Sequence, residues 1–193
     1  MMNKKHVFII CGAAGSGKTT VANYLREHYN MHRVITHTTR KPRPGEHDGI
    51  DYHFEDDVSM TRLHLLEKVT YDGAQYGSSY EGLKEGWQQG KDCVIVLDTA
   101  GARTYHQELG DQAVIIFLTV SQLTVLAKRM TRRGDQHAAI ESRLHSKEYH
   151  RDLSLPPELT GMAHVITNDQ WSATCQQLDH LVGKILAAPD HKC

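Results

Sequence analysis

A lysine and two threonines follow a glycine-rich turn close to the beginning of the sequence. The stretch matches G-x-x-x-x-G-K-[ST], the P-loop that cradles nucleotide phosphates. Glycine allows a tight turn whose backbone N–H groups point inward. The lysine supplies positive charge to the β- and γ-phosphates, and the hydroxyl that follows it ligates Mg²⁺. The predicted phosphate-binding residues are Gly12, Ala13, Ala14, Gly15, Ser16, Gly17, Lys18, Thr19 and Thr20.

The segments on either side of this loop are those that a P-loop requires. A P-loop lies between a strand and a helix. Residues 6–11 form a short apolar run of strand length, and Val21, Ala22, Leu25 and Tyr29 recur at helical spacing after the lysine. The sequence therefore predicts a strand–loop–helix unit that binds a nucleotide.

Length and composition indicate one soluble domain. The chain has 193 residues, 39% hydrophobic residues, a mean hydropathy of −0.50 and a net charge of −1. No global basic field argues for nucleic acid, and no apolar run reaches the length of a membrane span. Between residues 124 and 151, however, seven Lys/Arg stand against three Asp/Glu, which suggests a local anion clamp.

Four widely spaced cysteines, without a C-x-x-C pair, are typical of reduced thiols in a cytoplasmic protein. The fourteen histidines are interpreted as solvated surface side chains. Neither residue type points to a metal centre, so the predicted chemistry rests on the phosphate site.

Apolar patterning predicts an α/β fold. The continuous apolar runs at 93–97 and 113–120 are typical of strands buried on both faces. Alternating strands and helices imply a parallel central sheet flanked by helices, with the ligand at the carboxyl ends of the strands. Further extended segments are expected at 33–36, 50–54, 67–76 and 165–167, and further helices at 58–66, 79–89, 123–130, 136–150 and 171–185.

Two segments interrupt this alternation. A small β-rich stretch occupies residues 35–90, and a polar, basic stretch occupies residues 131–158. We expect both to be insertions that close over ligands within a single domain. The core of that domain is then formed by residues 1–34, 91–130 and 159–193.

The first insertion contains a second candidate phosphate site. Arg40 and Arg43 lie in a loop ordered by prolines and glycines, and guanidinium groups bind phosphate oxygens through two parallel hydrogen bonds. Spacing alone fits two exposed surface arginines equally well.

A longer sequence pattern around Arg40 and Arg43 helps to decide between a phosphate site and surface arginines. Residues 38–54 read T-T-R-x-P-R-x-G-E-x-x-G-x-D-Y-x-F, which resembles the nucleoside-monophosphate loop of guanylate kinases, enzymes that transfer phosphate from ATP to GMP. The similarity continues through Tyr76-Gly77-Ser78, Asp98 before Gly101, three arginines and Asn168-Asp169. It spans nearly the whole chain and implies a P-loop kinase with a β-rich nucleoside-monophosphate-binding insertion and a helical lid.

The resemblance implies a role for each matching residue. Those expected to bind GMP are Thr36, Arg40, Arg43, Tyr52, Glu67, Tyr76 and Ser78, with Glu67 and Ser78 reading the guanine. Those expected on the ATP side, beyond the P-loop, are Arg129 and Asn168. The expected catalytic residues are Lys18, Arg40, Asp98, Arg133 and Arg143, and the expected Mg²⁺ ligands are Thr19 and Asp98. The implied partners are GMP and ATP, with the chain acting as a monomer or homodimer.

The sequence departs from the family pattern at three positions. Val96 stands where an acid is usual, Thr36 where serine is common, and Ala100 where glutamine is usual. Two alternatives therefore stay open: a related kinase with a different phosphorylated acceptor, and a guanylate-kinase-like binding module that has lost catalysis. The intact Lys18, Thr19 and arginine loop argue against the module, because a scaffold has no use for a phosphate clamp.

Overall fold

The computed structural model describes residues 4–42, 45–71 and 73–187. The strands in these ranges are β1 (Val7–Cys11), β2 (His32–Arg33), β3 (His37–Thr38), β4 (His53–Phe54), β5 (Leu65–Tyr71), β6 (Ala74–Ser79), β7 (Cys93–Val96), β8 (Ala113–Thr119) and β9 (Ala163–Thr167). The helices there are α1 (Lys18–Tyr29), α2 (Asp57–Met60), α3 (Tyr80–Gln88), α4 (Thr99–Leu109), α5 (Thr124–Arg132), α6 (His137–Leu144), α7 (Lys147–Arg151) and α8 (Trp171–Ala187).

The central sheet has the strand order β2-β7-β1-β8-β9, and all its strands are parallel. Its middle strand, β1, is buried along its whole length. Ile9 lies in a core cluster with Leu83 of α3 and Tyr105 of α4, whereas Phe8 lies in a second cluster with Leu25 of α1. Both faces of the sheet are thus covered by helices, as the continuous apolar runs predicted.

A second, four-stranded sheet has the order β4-β3-β6-β5. β6 pairs antiparallel with both β3 and β5, and β3 pairs parallel with β4. These strands lie between residues 35 and 90, where a β-rich segment was predicted. α4 of the core packs against β5, so this small sheet lies beside the carboxyl ends of the central strands.

The predicted strands at 6–11, 93–97, 113–120 and 165–167 are confirmed within a residue or two. The predicted helix at 58–66 is wrong beyond its first turn, because α2 ends at Met60 and Leu65 already begins β5. The helix predicted over 136–150 is two helices, since Ser146 caps a new helix by accepting a hydrogen bond from the Tyr149 N–H. α4 was not predicted.

Most histidines are at least partly exposed, but His37 is buried, with Nδ1 2.8 Å from Glu55 and Nε2 3.0 Å from the Ser79 hydroxyl. Cys11 and Cys93 are buried free thiols, and burial raises the pKa of each to about 12. Across the described ranges, no helix combines the length and apolar character needed to cross a membrane.

Candidate active site

The glycine-rich loop joins β1 to α1 at the carboxyl edge of the central sheet. Gly12 has φ +127°, and a Cβ there would lie 2.3 Å from the Leu118 carbonyl oxygen of β8. Gly17 has φ +101°, and a Cβ there would lie 2.3 Å from Asn168 Nδ2. Both positions therefore require glycine, because they combine a left-handed backbone with a close approach to the loop wall.

Asn168 forms that wall. Its Nδ2 donates to the Ser16 carbonyl oxygen at 2.8 Å, and its Oδ1 accepts from the Thr174 hydroxyl at 2.9 Å. Its backbone carbonyl accepts from Arg129 Nη2 at 2.8 Å. The resemblance implied that Asn168 and Arg129 lie on the ATP side of the site, and in this structure their side chains brace the P-loop and its neighbouring segment.

Lys18 begins α1 and folds back over the loop. Its ammonium group donates to the carbonyl oxygens of Gly12 at 2.7 Å and Ala13 at 3.0 Å. Burial lowers the pKa of Lys18 to about 8, and the nearby Asp152 carboxylate opposes that effect. Thr19 and Thr20 lie exposed in the first turn of α1. The charge of Lys18 is consequently held at a fixed place above the loop.

A cavity of about 310 Å³ lies between the P-loop and the second sheet. It brings together eight of the residues that the sequence predicted for the site: Lys18, Thr36, Arg40, Tyr52, Glu67, Tyr76, Asp98 and Arg143. Arg143 reaches the same cavity from α6, and Val96 contributes part of its apolar lining. Residues from the core, from the β-rich segment and from the polar segment thus meet in one space.

Arg40 is held rigidly at the cavity. Its Nη2 donates to both carboxylate oxygens of Glu46 at 2.9 Å, and its Nη1 donates to the Lys41 carbonyl at 2.7 Å. The guanidinium carbon lies 5.4 Å from the centre of the Tyr52 ring, within cation–π range. Arg43, predicted to act with Arg40, lies outside the described residues.

Glu67 lines the cavity from β5 and accepts a hydrogen bond from the Ser78 hydroxyl of β6 at 3.0 Å. Burial raises the pKa of Glu67 to about 7. Ser78 opposes that effect, because a hydrogen bond to the carboxylate favours its charged form. Ser78 itself is fully buried and in turn accepts a hydrogen bond from Tyr105 at 2.8 Å.

Asp98 has two partners at the cavity edge. Its Oδ1 accepts from the Gly101 N–H at 2.7 Å and so caps α4, and its Oδ2 accepts from Arg151 Nη2 at 2.8 Å. Arg151 also donates through Nε to Asp152 Oδ1 at 2.8 Å, and the Thr99 hydroxyl donates to the same oxygen at 2.5 Å. One guanidinium therefore bridges two carboxylates.

Sequence reasoning did not single out Tyr105, Arg151 or Asp152. The local excess of basic residues between 124 and 151 pointed to the right segment, but not to the pairing of Arg151 with two acids. The sequence did single out Arg133, whose guanidinium here binds Asp135 and whose side chain is 57% exposed. Arg133 is not among the described residues that line the cavity.

Similarity to known proteins agrees with this geometry. A family model described as guanylate kinase matches residues 4–185. The chain is 33% identical to a guanylate kinase of Synechococcus sp. (strain JA-3-3Ab), covering 90% of this chain and 80% of the relative. It is 34% identical to one of Neisseria meningitidis serogroup A (93% and 87% covered) and 33% identical to one of Rickettsia bellii (93% and 94%). A crystal structure of guanylate kinase from Anaplasma phagocytophilum superposes with a TM-score of 0.68 at 21% identity, covering 97% of this chain and 89% of that one.

A parallel sheet whose middle strand runs into a glycine-rich loop and then a helix, with a lysine folded over that loop, defines a P-loop nucleotide-binding protein. Within that class, the chain belongs to the guanylate kinase family.

Proposed function

We propose that the protein is an ATP-dependent guanylate kinase, which transfers the γ-phosphate of ATP to GMP and gives ADP and GDP. One observation carries the proposal: Lys18, Arg40 and Glu67 line the same cavity. The two cations could each bind a phosphate group, and the carboxylate could bind a base. One cavity could therefore hold two nucleotides with their phosphate groups next to each other. Membership of the guanylate kinase family supports the same reaction.

Phosphoryl transfer mainly requires positioning and positive charge around the migrating group. Lys18 would supply charge on the donor side, and Arg40 would hold the phosphate of GMP. The bidentate contact with Glu46 orients Arg40 before any ligand binds. No general base is needed, because the acceptor phosphate is already largely ionised at pH 7, with a second pKa of about 6. Exclusion of water would then protect ATP from hydrolysis.

Recognition of guanine would depend on Glu67. Guanine presents an N1–H and an N2–H₂ donor, and one carboxylate can accept hydrogen bonds from both. Adenine lacks that pair of donors, so the half-buried carboxylate would keep only its hydrogen bond from Ser78 and lose the two that guanine supplies. Acceptor capacity left unsatisfied in this way costs about 1–3 kcal/mol, which would favour GMP over AMP.

The P-loop fits ATP and Mg²⁺ as partners. The buried Ser16 hydroxyl finds no hydrogen-bond partner within the described part of the chain, and it lies in the loop that would surround the phosphates. Mg²⁺ takes few protein ligands together with phosphate oxygens, so the Thr19 hydroxyl would hold it together with the Asp98 carboxylate, whose Oδ2 would have to release Arg151 to do so. When bound, the ion would neutralise charge that develops on the phosphates.

The proposal divides the chain into a core (1–34, 91–130 and 159–193), a GMP-binding insertion (35–90) and a lid (131–158). Arg143 already reaches the cavity from the lid, whereas Arg133 would have to exchange Asp135 for a phosphate when the lid closes. The proposed setting is the cytoplasm, with the chain a monomer or homodimer. Its buried free thiols fit a reducing compartment.

A coupled assay of ADP release with GMP, AMP, dGMP, UMP and CMP as acceptors tests the function. Turnover limited to guanine nucleotides supports the proposal. A different best acceptor favours the related kinase, for which Val96 in the cavity lining is the motivating observation. Absence of turnover with every acceptor would contradict both and favour the binding module.

The change Lys18→Ala should abolish turnover and leave the fold intact, because it removes the charge at the donor phosphates and no core packing. Lys84→Ala on the exposed face of α3 is the matched control and should behave like the unmodified chain. ADP release and a thermal melt are measured together. Unaltered turnover of Lys18→Ala would refute its assigned role.

A further inference from the structure

A fully buried tyrosine lies behind Glu67, the residue that we propose reads the base. Tyr105 projects from α4 of the core, and its hydroxyl lies 2.8 Å from Ser78 Oγ of β6. Ser78 Oγ lies 3.0 Å from Glu67 Oε1 of β5. Tyr105 does not line the cavity. The three side chains are thus connected by hydrogen bonds from the buried core to the cavity wall.

The direction of both hydrogen bonds follows from the carboxylate. Ionised Glu67 can only accept, so Ser78 must spend its single proton on Glu67. Ser78 then has only lone pairs left for Tyr105, and the tyrosine must donate. A hydroxyl that receives a hydrogen bond becomes a stronger donor itself. Tyr105 therefore acts on Glu67 through Ser78.

We propose that Tyr105 is a positioning residue for base recognition: its donated hydrogen bond commits the Ser78 proton to Glu67 and so holds the ionised carboxylate ready for the two donors of guanine. This inference rests on the proposed function. It also connects the core to the β-rich segment, because Tyr105 belongs to α4 and its partner belongs to the second sheet.

The two hydrogen bonds from Tyr105 to Ser78 and from Ser78 to Glu67, here called the relay, have a measurable effect on the ionisation of Glu67. Burial raises the pKa of Glu67 to about 7 and Asp98 adds to the effect, while the Ser78 hydrogen bond opposes it. Behind Tyr105, burial raises the pKa of the Cys93 thiol to about 12, so the thiol stays neutral. Within the described ranges, the other ionisable groups that line the cavity are Lys18, Arg40, Tyr52, Tyr76, Asp98, Arg143 and Asp152. All of these groups are unchanged when only the Tyr105 hydroxyl is removed.

The test is Tyr105→Phe, with KM for GMP and kcat measured at saturating ATP between pH 6.0 and 8.5. Without the relay, Glu67 is protonated more readily, and a protonated carboxyl cannot accept from both guanine donors. The ratio of the variant KM to the wild-type KM should be close to one at pH 8.5. It should rise to about threefold or more at pH 6.0, as loss of part of one hydrogen bond implies. The titration of GMP itself cancels in the ratio, and kcat should stay within about twofold.

Tyr29→Phe is the matched control, since the Tyr29 hydroxyl also donates to a carboxylate, that of Asp179, on the opposite side of the sheet. It should leave KM unchanged at every pH. Ser78→Ala breaks the same relay, so adding Tyr105→Phe to it should change nothing further.

A constant KM ratio across pH, or an additive effect in the double variant, would overturn the role of Tyr105 while the proposed function stands. Failure of the unmodified chain to phosphorylate GMP would overturn the proposed function and the role with it. A thermal melt of each variant accompanies the kinetics, and Phe keeps the ring that packs in the core.

Discussion

Glu67 lies half-buried at the cavity wall and exchanges its proton near neutral pH. Its carboxyl has an ordinary pKa of 4.5 in the unfolded chain and about 7 in the folded one. Between these values the folded chain holds a proton that the unfolded chain has released. Stability therefore falls as the pH rises from about 4.5 to about 7, because the folded chain must accommodate a poorly solvated charge.

Replacing Glu67 with glutamine should separate binding from stability. Glu67→Gln keeps the shape but loses the charged acceptor, so KM for GMP should rise about 10-fold or more and the preference over AMP should shrink. Thermal melts at pH 5 and pH 8 should show the variant gaining on the wild type at the higher pH only. An unchanged KM, or a gain that is equal at both pH values, would contradict this account of Glu67.

The position of Gly17 does not tolerate a larger side chain, because the hydrogen-bonded Asn168 side chain lies directly against it. Gly17→Ala places a Cβ 2.3 Å from Asn168 Nδ2 and strains a backbone at φ +101°. We expect ATP affinity to fall at least about 10-fold, because relief of the contact with Asn168 must displace the loop that would surround the phosphates. The left-handed backbone strain itself costs about 1–2 kcal/mol of stability. Titration calorimetry with ATP measures the loss.

Gly161→Ala is the control for that substitution, with φ +80° and no heavy atom within 4 Å of the added Cβ. It should lower stability by a similar amount, about 1–2 kcal/mol, and leave ATP binding intact. Equal loss of ATP affinity in both variants would show that contact with Asn168 plays no part.

Lys18 can be identified from motif spacing in the sequence, because its proposed role depends on its neighbours in the chain. Arg40 was indicated by resemblance to a family loop, since its spacing alone fits a surface arginine equally well. Tyr105 and Arg151 act on Ser78 and Asp98, which lie 27 and 53 positions away. Such partners become neighbours only when the sheet is assembled. No local pattern could have named them.

At the scale of elements, α4 connects the two halves of the site. Asp98 caps its first turn, Thr99 binds Asp152, and Tyr105 reaches Ser78. This helix was missed in the sequence because residues 99–109 contain few large apolar side chains. Its buried face consists of small residues and one tyrosine, namely Thr99, Gly101, Ala102 and Tyr105. The strands were easier to predict, since burial on both faces leaves an uninterrupted apolar run.

Arg151, at the end of α7, forms an ion pair with Asp98 at the beginning of α4 and another with Asp152. Arg151→Ala would leave the Asp98 and Asp152 carboxylates facing each other without the bridging charge. We expect the melting temperature to fall by roughly 2–6 °C, because the pairs are partly exposed. Arg151→Lys should recover only part of the loss, since an ammonium group lacks the fork that spans both acids.

Arg103→Ala on the exposed side of α4 provides the control, because it removes an arginine of the same helix at a solvated position. Differential scanning calorimetry at pH 7.5 compares the variants. Equal melting temperatures for Arg103→Ala and Arg151→Ala would show that the bridge contributes nothing.

At the scale of the whole molecule, the two proposed nucleotide sites have opposite requirements for protons. In the proposed function Glu67 would have to be ionised to accept from guanine, which favours pH above about 7. Lys18 would have to be protonated to attract phosphate, which favours pH below about 8. The pH range in which Glu67 is ionised and the range in which Lys18 is protonated therefore overlap only between about 7 and 8. Neither side chain alone would set that range.

We therefore expect kcat/KM for GMP to rise as the pH increases through about 7, and kcat/KM for ATP to fall as it increases through about 8. These profiles report the ionisation of the free enzyme and of the free substrate, and the GMP phosphate has a second pKa of about 6. Glu67→Gln should therefore remove the contribution near pH 7, leave that of GMP itself near pH 6, and leave the alkaline side in place. An acid midpoint between pH 4 and 5 in the wild type would mean that Glu67 is not the group responsible.

The position of α3 has a practical consequence. Trp87, one of two tryptophans, donates its indole N–H to the His6 carbonyl at 3.4 Å, and α3 directly follows the strand that carries Tyr76 and Ser78. The other, Trp171, is 41% exposed at the beginning of α8 and packs edge-on against Tyr24. A Trp171→Phe variant would retain Trp87, at the junction of the two sheets, as its single tryptophan. Its fluorescence would follow displacement of the smaller sheet in real time, with no attached dye.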